Sequence, residues 1–375
     1  IIGGDICATK RDENAFLEGD ALRLFSNILP EIQSADLAIA NLETPLISTP
    51  SPIKKSGAIF GNSPSMLNAL KKSGINFLNL ANNHVLDHGA KGLQTTIEAV
   101  KNQEFYSVGV GRSIDEASEP FIIQIKDKTI AVLSYAEHEF SIAENGKPGA
   151  NPIDVIDFIT RIKDLKESSD FVLLLYHGGK ENYSLPTPKQ QKLCRFFIDQ
   201  GVNMVVCQHS HIAGVFEQYN KGNIYYGQGN YVFDPYPLKR DWLYKGFLIE
   251  VYLNDDNSTR IQLIPYIHKS FYKDEIGIRK MNDEESKVFM DNIFEDNKKM
   301  IENPNYVRDE WVKLSMSLEN TYLSILNGNG RFMRKLNEKF SWLKLVYTND
   351  RKLVIKNIVT CETHQEIVET ILKKN

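Results

Sequence analysis

Short apolar runs alternate with amphipathic stretches over the first 265 or so residues of the chain. The apolar runs are Ile1–Ile2, Leu37–Ala40, Ile75–Leu80, Ile130–Tyr135, Phe171–Tyr176, Val202–Cys207 and Ile224–Tyr226. Helical patterns lie between them at Ser65–Ser73, Gly92–Asn102, Ile153–Lys166 and Thr187–Gln200. Strands that alternate with helices in this way are typical of an α/β domain.

The pattern changes after residue 245. "GFLIEVYLNDDNSTRIQLIPYIH" predicts a β-hairpin, because alternating runs flank the turn residues "NDDNS". After about residue 270 we expect no further strands, and helical periodicity runs from Asp283 to roughly Asn337. We therefore predict a domain at residues 1–268 and a mostly helical C-terminal extension at residues 269–375.

One segment of this extension, "EWVKLSMSLENTYLSIL", has a clear apolar face. The apolar residues at helical spacing are Trp311, Leu314, Met316, Leu318, Tyr322 and Leu323. Such a face requires a partner. We expect it to pack against the first domain, over the rim of its active site or at a homodimer contact.

Composition narrows the class of protein. Hydrophobic residues at 42% and charged residues at 25% describe an ordinary globular chain, and the net charge of −4 gives no reason to expect nucleic-acid binding. No apolar stretch approaches the roughly 18 to 20 residues of a membrane span. The four cysteines show no paired spacing, which predicts reduced, buried thiols and favours the cytoplasm. The chain opens at Ile1 inside an apparent strand, so a signal or anchor upstream stays open.

Five of the apolar runs end in side chains that bind metals or move protons. These side chains are Asp5, Glu43, the group Asn82, Asn83, His84, Asp87 and His88, then His177, and finally His209 and His211. One such strand end is ordinary turn chemistry. In open α/β sheets, however, sites form outside the carboxyl ends of strands, so five such ends predict a common site.

The donor types indicate which ions this site would suit. His, Asp, Glu and Asn without thiolates suit Mn, Fe or Zn. A carboxylate such as Glu43 can bridge two ions. Two divalent ions about 4 Å apart would hold the attacking and leaving oxygens of a phosphoryl transfer and activate a water.

The motifs, taken together and in order, resemble one family. They are "GGD" at 3–5, "NLE" at 41–43, "NNHVLDHG" at 82–89, "HGG" at 177–179, "HSH" at 209–211 and "YGQGNYVFD" at 226–234. This set resembles the CapA (poly-γ-glutamate capsule synthesis) branch of the calcineurin-like metallophosphoesterases, over about residues 1 to 268. The resemblance implies a four-layer αββα sandwich, two β-sheets flanked by helices, with a dinuclear metal site.

The resemblance also implies roles for individual residues. Asp5 and His211 would hold one ion, Asn83, His177 and His209 the other, and Glu43 would lie between them. His84 matches the general acid that protonates the leaving oxygen, and Asp87 would orient its imidazole. Asn41 and Asn230 are candidates for substrate binding, with a turn role as the alternative for Asn230.

Two positions depart from the expected motifs, one from those of the wider superfamily and one from those of this branch. Cys7 stands where that superfamily has a histidine, and it is either a thiolate ligand or, as we favour, a small buried residue. Gln208 stands where this branch usually has another histidine. Glutamine cannot replace imidazole in acid–base work, so we expect it beside the site rather than in it.

Other residues outside these motifs carry weaker signals. Lys54, Lys55 and Arg112 could meet an anionic substrate, although surface solvation is the more common role of such a basic pair. His138 could reach the site from a strand end. His268 and His364 are expected to be structural.

Three functions agree with these features. The first is hydrolysis of phosphoesters in capsule or cell-surface polysaccharide metabolism, with an anionic or phosphorylated small molecule or polymer as substrate and the cell-envelope synthesis machinery as partner. The second is amide cleavage or transfer on poly-γ-glutamate. The third is a metal-binding, non-catalytic component of capsule assembly. The presence of His84 and of nearly all the ligands favours an enzyme.

Overall fold

The computed structural model describes residues 1–238, 240–272, 274–326, 339–340 and 347–373. The strands in these residues are β1 Ile2–Ile6, β2 Ile39–Leu42, β3 Phe77–Asn79, β4 Tyr106–Val108, β5 Val110–Gly111, β6 Phe121–Ile125, β7 Lys128–Ala136, β8 Gly149–Ala150, β9 Phe171–His177, β10 Met204–Gln208, β11 Phe216–Tyr219, β12 Gly222–Tyr225, β13 Asn230–Val232, β14 Lys245–Leu253, β15 Thr259–His268 and β16 Ile278–Lys280. The helices are α1 Glu13–Glu18, α2 Ala21–Phe25, α3 Leu29–Ser34, α4 Leu67–Ser73, α5 Gly89–Asn102, α6 Ile114–Ser118, α7 Val155–Ser168, α8 Pro188–Gln200, α9 Asp283–Glu302, α10 Tyr306–Leu326, α11 Asn349–Thr360 and α12 Glu362–Lys373. All four sequence-predicted helices before residue 201 are present.

The first sheet has the strand order β16-β15-β14-β1-β2-β3-β4, and β13 also pairs with β1. Strands β1 to β4 are parallel to one another, so their carboxyl ends lie at one edge of the sheet. Strands β14 and β15 form the predicted hairpin. The expectation that strands stop near residue 270 is wrong, because β16 pairs with β15 at residues 278–280. Three residues are too few to show a strand alternation in the sequence.

The second sheet has the order β11-β12-β10-β9-β7-β6. Strands β7, β9, β10 and β12 are parallel, and the two edge strands are antiparallel to their neighbours. Every residue of β9 and β10 is buried. Continuous apolar strands of this kind are expected where both faces of a parallel sheet are covered.

The two sheets pack face to face with helices on both outer surfaces. The layer between the sheets includes Phe77, Val132, Leu173, Val206 and Phe247. Buried residues of α1 to α4 cover the outer face of the first sheet. Those of α7 and α8 cover the outer face of the second. The predicted four-layer αββα arrangement is confirmed.

Helices α10, α11 and α12 share a separate apolar cluster. Trp311, Tyr322, Ile358, Ile367 and Ile371 are buried in it, and Leu314, Met316 and Leu318 pack against it. The predicted apolar face is thus confirmed, except that the side chain of Leu323 lies outside the described residues. The helical pattern expected at residues 327–337 also lies outside them, and the division at residue 268 stays a prediction. None of the helices in the described part of the chain is long and apolar enough to cross a membrane.

Candidate metal centre

Strands from both sheets deliver acidic and histidine side chains to one place. Asp5 lies on β1 beside Asn41 of β2, and Glu43 follows β2 directly. His177 ends β9 and lies beside Gln208 of β10, which His209 follows. Because these strands run parallel within each sheet, their carboxyl ends bring the side chains together.

One group of donors consists of Asp5, Glu43 and His211. Nδ1 of His211 lies 3.5 Å from Oδ2 of Asp5 and 3.7 Å from Oε2 of Glu43. Burial on its own lowers the pKa of His211, but the two carboxylates outweigh it and raise the pKa to about 9. These three side chains have the spacing of a metal site.

A second group consists of Glu43, His177 and His209. Nε2 of His177 lies 3.5 Å from Oε1 of Glu43 and 3.1 Å from Nδ1 of His209. The side-chain oxygen of Asn83 is 3.0 Å from the same Nε2. The structure thus places all six predicted ligands in two groups that share Glu43.

Glu43 is the most unusual member of the centre. Its side chain is fully buried, and neither carboxylate oxygen has a hydrogen-bond partner among the described residues. Burial, followed by repulsion from Asp5, raises its pKa well above the usual range. Leaving a buried charge unpaired is costly, and a bound cation would remove that cost. The side chains around Glu43 therefore fit divalent metal ions.

The backbone of the "HSH" segment adopts uncommon conformations that aim its rings. His209 has φ +99° and His211 has φ +59°, both in the left-handed region. A non-glycine residue there costs about 1–3 kcal/mol and needs support from its surroundings. Gly4, which precedes Asp5, allows β1 to approach Gly229 closely, because a Cβ at position 4 would lie 2.2 Å from the carbonyl oxygen of Gly229.

His84 lies beside these groups with its own partners. Its Nδ1 is 2.7 Å from Oδ2 of Asp87 and 3.1 Å from Nζ of Lys55. Lys55 also forms an ion pair with the other oxygen of Asp87. Burial is the main cause that lowers the pKa of His84 to about 4. Asp87 and Lys55 both lie at Nδ1, so Nε2 is the ring nitrogen left for chemistry.

The two asparagines predicted to bind substrate contact candidate ligands. Nδ2 of Asn41 donates to Oδ1 of Asp5 at 2.7 Å and lies 3.2 Å from Nδ1 of His177. The side-chain oxygen of Asn230 is 3.0 Å from Nδ1 of His211. Asn41 thus contacts a carboxylate and a histidine, and Asn230 contacts a histidine, while a role in substrate binding stays a prediction for both.

Cys7 and Gln208, the two departures from the expected motifs, both have structural roles. Cys7 is buried with its thiol 3.6 Å from the side-chain oxygen of Asn62. The thiol belongs to neither group of donors around Glu43, which favours a small buried residue over a thiolate ligand. Gln208 joins the sheets, accepting from Asn79 at 3.0 Å and donating to the carbonyl of Gly3 at 2.9 Å.

The expectation that the basic residues lie solvated at the surface holds for Lys54 and Arg112, which are exposed. It is wrong for Lys55, whose side chain is 3% exposed. Lys55 is buried because it pairs with Asp87, and the pattern of apolar residues in the sequence does not predict this contact.

His88, which follows the same strand end as His84, has a structural contact. Its Nδ1 accepts a hydrogen bond from the backbone N–H of Ser51 at 2.8 Å.

Of the three histidines with weaker signals, His138 and His268 have other partners and His364 lies at the pocket. Nδ1 of His138 is 2.5 Å from Glu362. His268 is buried with Nε2 2.9 Å from the carbonyl oxygen of Asn230, as a structural histidine should be. His364, expected to be merely structural, lines the pocket over the centre.

This pocket has a volume of about 360 Å³. Its walls include Lys55, Lys180, Glu139 and Glu181 from the first part of the chain. Helices α11 and α12, with the turn between them, supply Asn357, Cys361, Thr363 and His364. The C-terminal helices therefore form one wall of the pocket, which we refer to as the C-terminal wall.

Sequence reasoning missed Glu139 and Glu181. Oε2 of Glu139 is 3.4 Å from Nδ2 of Asn83, and its Oε1 is 4.0 Å from Nε2 of His209. Glu181 groups with His209 and His211. Glu139 follows β7 in "AEHEF", so the strand-end signal that found the other residues could have found it.

Comparison with known proteins agrees with this geometry. Residues 1–235 match the family described as bacterial capsule synthesis protein PGA_cap. The chain belongs to this family. The predicted resemblance to CapA proteins is confirmed by the relatives that the PGA_cap chain matches.

The capsule biosynthesis protein CapA of Bacillus anthracis is 29% identical over 252 residues, 64% of this chain and 60% of that protein. The PGA biosynthesis protein CapA of Bacillus subtilis (strain 168) is 28% identical over 273 residues, 71% of each chain. The chain thus spans about 60% of the Bacillus anthracis relative. Among solved structures, a novel phosphatase of Mycoplasma pneumoniae matches with a TM-score of 0.44 and 13% identity, over 76% of this chain and 95% of that one. A score this low supports no conclusion about the PGA_cap chain.

Proposed function

We propose that this chain is a metal-dependent hydrolase that cleaves phosphoester bonds in capsule or cell-surface polysaccharide metabolism. The observation that carries the proposal is the buried carboxylate of Glu43, whose two oxygens make no hydrogen bond among the described residues and face two separate groups of donors. A carboxylate in this position suits two cations better than it suits any role in an apolar core.

The six predicted ligands divide between two sites. Asp5 and His211 would hold one ion, and Asn83, His177 and His209 the other, while Glu43 serves both. Bound divalent ions of this kind activate a water and stabilise negative charge on phosphoryl oxygens. The donor set contains nitrogen and oxygen only, which suits Mn, Fe or Zn.

His84 would hold the proton that the leaving oxygen takes up. Asp87 orients the ring through Nδ1, which leaves Nε2 to deliver a proton to the departing oxygen. Lys55 neutralises Asp87 and keeps positive charge close to the ring. An anionic phosphoryl group near His84 would raise the pKa of the imidazole, because opposite charge favours the protonated form.

The pocket supplies charges that a phosphorylated substrate could meet. Lys55 and Lys180 line it together with the acidic Glu139 and Glu181. An extended anionic polymer would be recognised through the lysines, and the carboxylates would exclude negative groups from the remaining positions.

A second candidate is cleavage or transfer of an amide in a γ-glutamyl polymer. The names of two relatives favour it, since one is a PGA biosynthesis protein and another a probable polyglutamine synthesis accessory protein. The same water activation serves both bonds. Either activity would place the chain with the cell-envelope synthesis machinery.

The test is a product assay on protein stripped of metal and then reloaded with Mn²⁺, Fe²⁺ or Zn²⁺. Sugar phosphates, phosphodiesters and poly-γ-glutamate are offered in parallel, and products are identified by mass spectrometry. We expect phosphate release that requires metal and is lost in Glu43→Gln. Cleavage of poly-γ-glutamate alone would favour the second candidate. No metal-dependent turnover of any substrate, with metal bound, would favour the non-catalytic capsule component.

A further inference from the structure

A second cluster of metal-binding side chains lies at the edge of the pocket. Glu139, Cys361 and His364 each offer one ligand atom, and these atoms all lie within 4.8 Å of one another. None of the three belongs to the six predicted ligands. Two of them lie beyond residue 235, where the match to the capsule family ends. The cluster is therefore a feature of this chain that the family match does not cover.

The local structure brings Cys361 and His364 to one face of the chain. Cys361 is the single residue between α11 and α12, and His364 lies in the first turn of α12. Residues three apart on a helix are neighbours on its surface. Cys361 and His364 are separated by two residues, a spacing that is common among the ligands of zinc sites.

Neighbouring contacts hold this turn against the loop that carries Glu139. The hydroxyl of Thr363 donates to Oε1 of Glu137 at 2.8 Å, and Glu362 accepts from the backbone N–H of His138 at 2.9 Å. Glu137 and His138 directly precede Glu139 in the chain. These contacts hold Cys361 and His364 next to Glu139.

The imidazole of His364 has its own support. Its Nδ1 lies 2.5 Å from the hydroxyl of Tyr322 on α10. Metal-binding histidines commonly use one ring nitrogen for the ion and the other for a neighbouring polar group that fixes the ring. Tyr322 is buried, so this contact is protected from water.

We propose that Glu139, Cys361 and His364 bind a divalent ion, Zn²⁺ by preference, that fastens the C-terminal wall to the loop after β7. One thiolate, one imidazole and one carboxylate form a donor set typical of zinc, and three protein ligands leave a position for water. Binding requires Cys361 to lose its thiol proton, either to solvent or to Oε2 of Glu137, which lies 3.2 Å from the sulfur. The sulfur–metal bond forms as the S–H bond breaks, with no change of oxidation state.

This site is distinct from the centre around Glu43, although Glu139 lies close to both. The second cluster contains a sulfur donor, Cys361, whereas the centre around Glu43 contains none. Cys7 is close in sequence to that centre, but its thiol contacts Asn62. That difference in donor type gives each site its own spectroscopic signature.

The test uses the full chain, stripped of metal under reducing conditions and titrated with Co²⁺. A thiolate bound to Co²⁺ gives a charge-transfer band in the near ultraviolet, which nitrogen and oxygen ligands do not give. We expect this band in the wild type and its loss in Cys361→Ser, with one metal ion fewer per chain by elemental analysis. Tyr322→Phe should keep the band but weaken Co²⁺ binding by about tenfold, as loss of an outer partner does.

Two controls separate the sites. Cys7→Ser should keep the band, and so should Glu43→Gln, which removes the shared ligand of the first centre. If Cys361→Ser does not fold, Cys361→Ala removes the same sulfur, and the wild-type spectrum decides by itself. Absence of the band in the wild type with Co²⁺ in excess would overturn the proposal, as would a band that survives Cys361→Ser or disappears in Glu43→Gln. Failure of the proposed hydrolysis with the band intact would leave this second site standing.

Discussion

Two regions around the pocket each contain a buried glutamate, and the two carboxylates differ in their hydrogen bonds. Glu137, at the C-terminal wall, accepts hydrogen bonds from the N–H of Gly179 at 2.9 Å and from the hydroxyl of Thr363 at 2.8 Å, besides two weaker donors. Glu43, at the strand ends, has no such partner among the described residues. A satisfied carboxylate joins parts of the structure, whereas an unsatisfied one requires a ligand from outside.

The two regions are also held in different ways. The donors at the strand ends are placed by the main chain of β1, β2, β9 and β10 or by the residues that follow directly. The C-terminal wall is instead attached through side-chain contacts such as those of Glu137 and Glu366 with Thr363 and Thr187. Substitutions can therefore loosen the wall while the strand ends keep their geometry.

The largest effect is expected from Glu43→Gln. If the carboxylate serves two ions, its loss removes several kcal/mol of transition-state stabilisation, and hydrolysis should fall by about 10⁴-fold or more. The metal-free variant should nevertheless be more stable than metal-free wild type, by about 1–3 kcal/mol, because the wild type must either protonate or desolvate the Glu43 carboxyl on folding at neutral pH, and an amide avoids that cost. Metal analysis, rates and urea unfolding with and without metal measure the three effects. A variant that retains full metal and activity would show that Glu43 is not a ligand.

The next prediction separates proton transfer from metal binding. His84→Ala should retain metal and lose about 10²- to 10⁴-fold in rate on a substrate with a poor leaving group. With a leaving group as acidic as nitrophenolate the loss should shrink, because that oxygen departs without a proton. His209→Ala should lose metal and slow both substrates alike. Equal metal loss in the two variants would contradict the role given to His84.

The strand-end residues could be predicted from sequence because two simple regularities coincide there. Apolar runs mark the strands, and parallel strands end at a shared edge, so Asp5, His177 and His209 must converge once the sheets form. The same reasoning applies to Glu139, which lies three residues after the end of β7.

The C-terminal wall could not be predicted in the same way. The apolar face of α10 shows that a partner exists, but a helical stripe does not say which surface it meets. That His364 lines the pocket depends on the long-range contacts of Thr363 and Glu362, which have no local signature in the sequence. The burial of Lys55 has the same origin, since it depends on a single ion pair with Asp87.

A smaller effect is expected at the wall from Glu366→Ala. Glu366 accepts from the hydroxyl of Thr187 and from the backbone N–H of Lys189 at 2.9 Å, at the start of α8. Its loss leaves a helix N-terminal N–H without that acceptor and should cost about 1–3 kcal/mol of stability. Hydrogen exchange should rise in α12 while β9 and β10 stay protected, and Glu366→Gln should recover part of the loss. Equal exchange increases in α12 and the central strands would mean that the wall and the sheets open together.

The smallest effect is expected from Lys189→Gln, which tests the solvent-exposed part of the same contact. Nζ of Lys189 lies 3.1 Å from Glu369, and both side chains are about half exposed, at 49% and 47%. Water and salt screen such a pair, so it should contribute about 0.5 kcal/mol or less. Lys189 also lies in the first turn of α8, where the helix dipole disfavours positive charge, and this offsets part of the attraction. Thermal unfolding at low and high salt should therefore hardly distinguish the variant from wild type. A loss as large as that of Glu366→Ala would show that the exposed contacts, rather than the buried glutamates, hold the C-terminal wall in place.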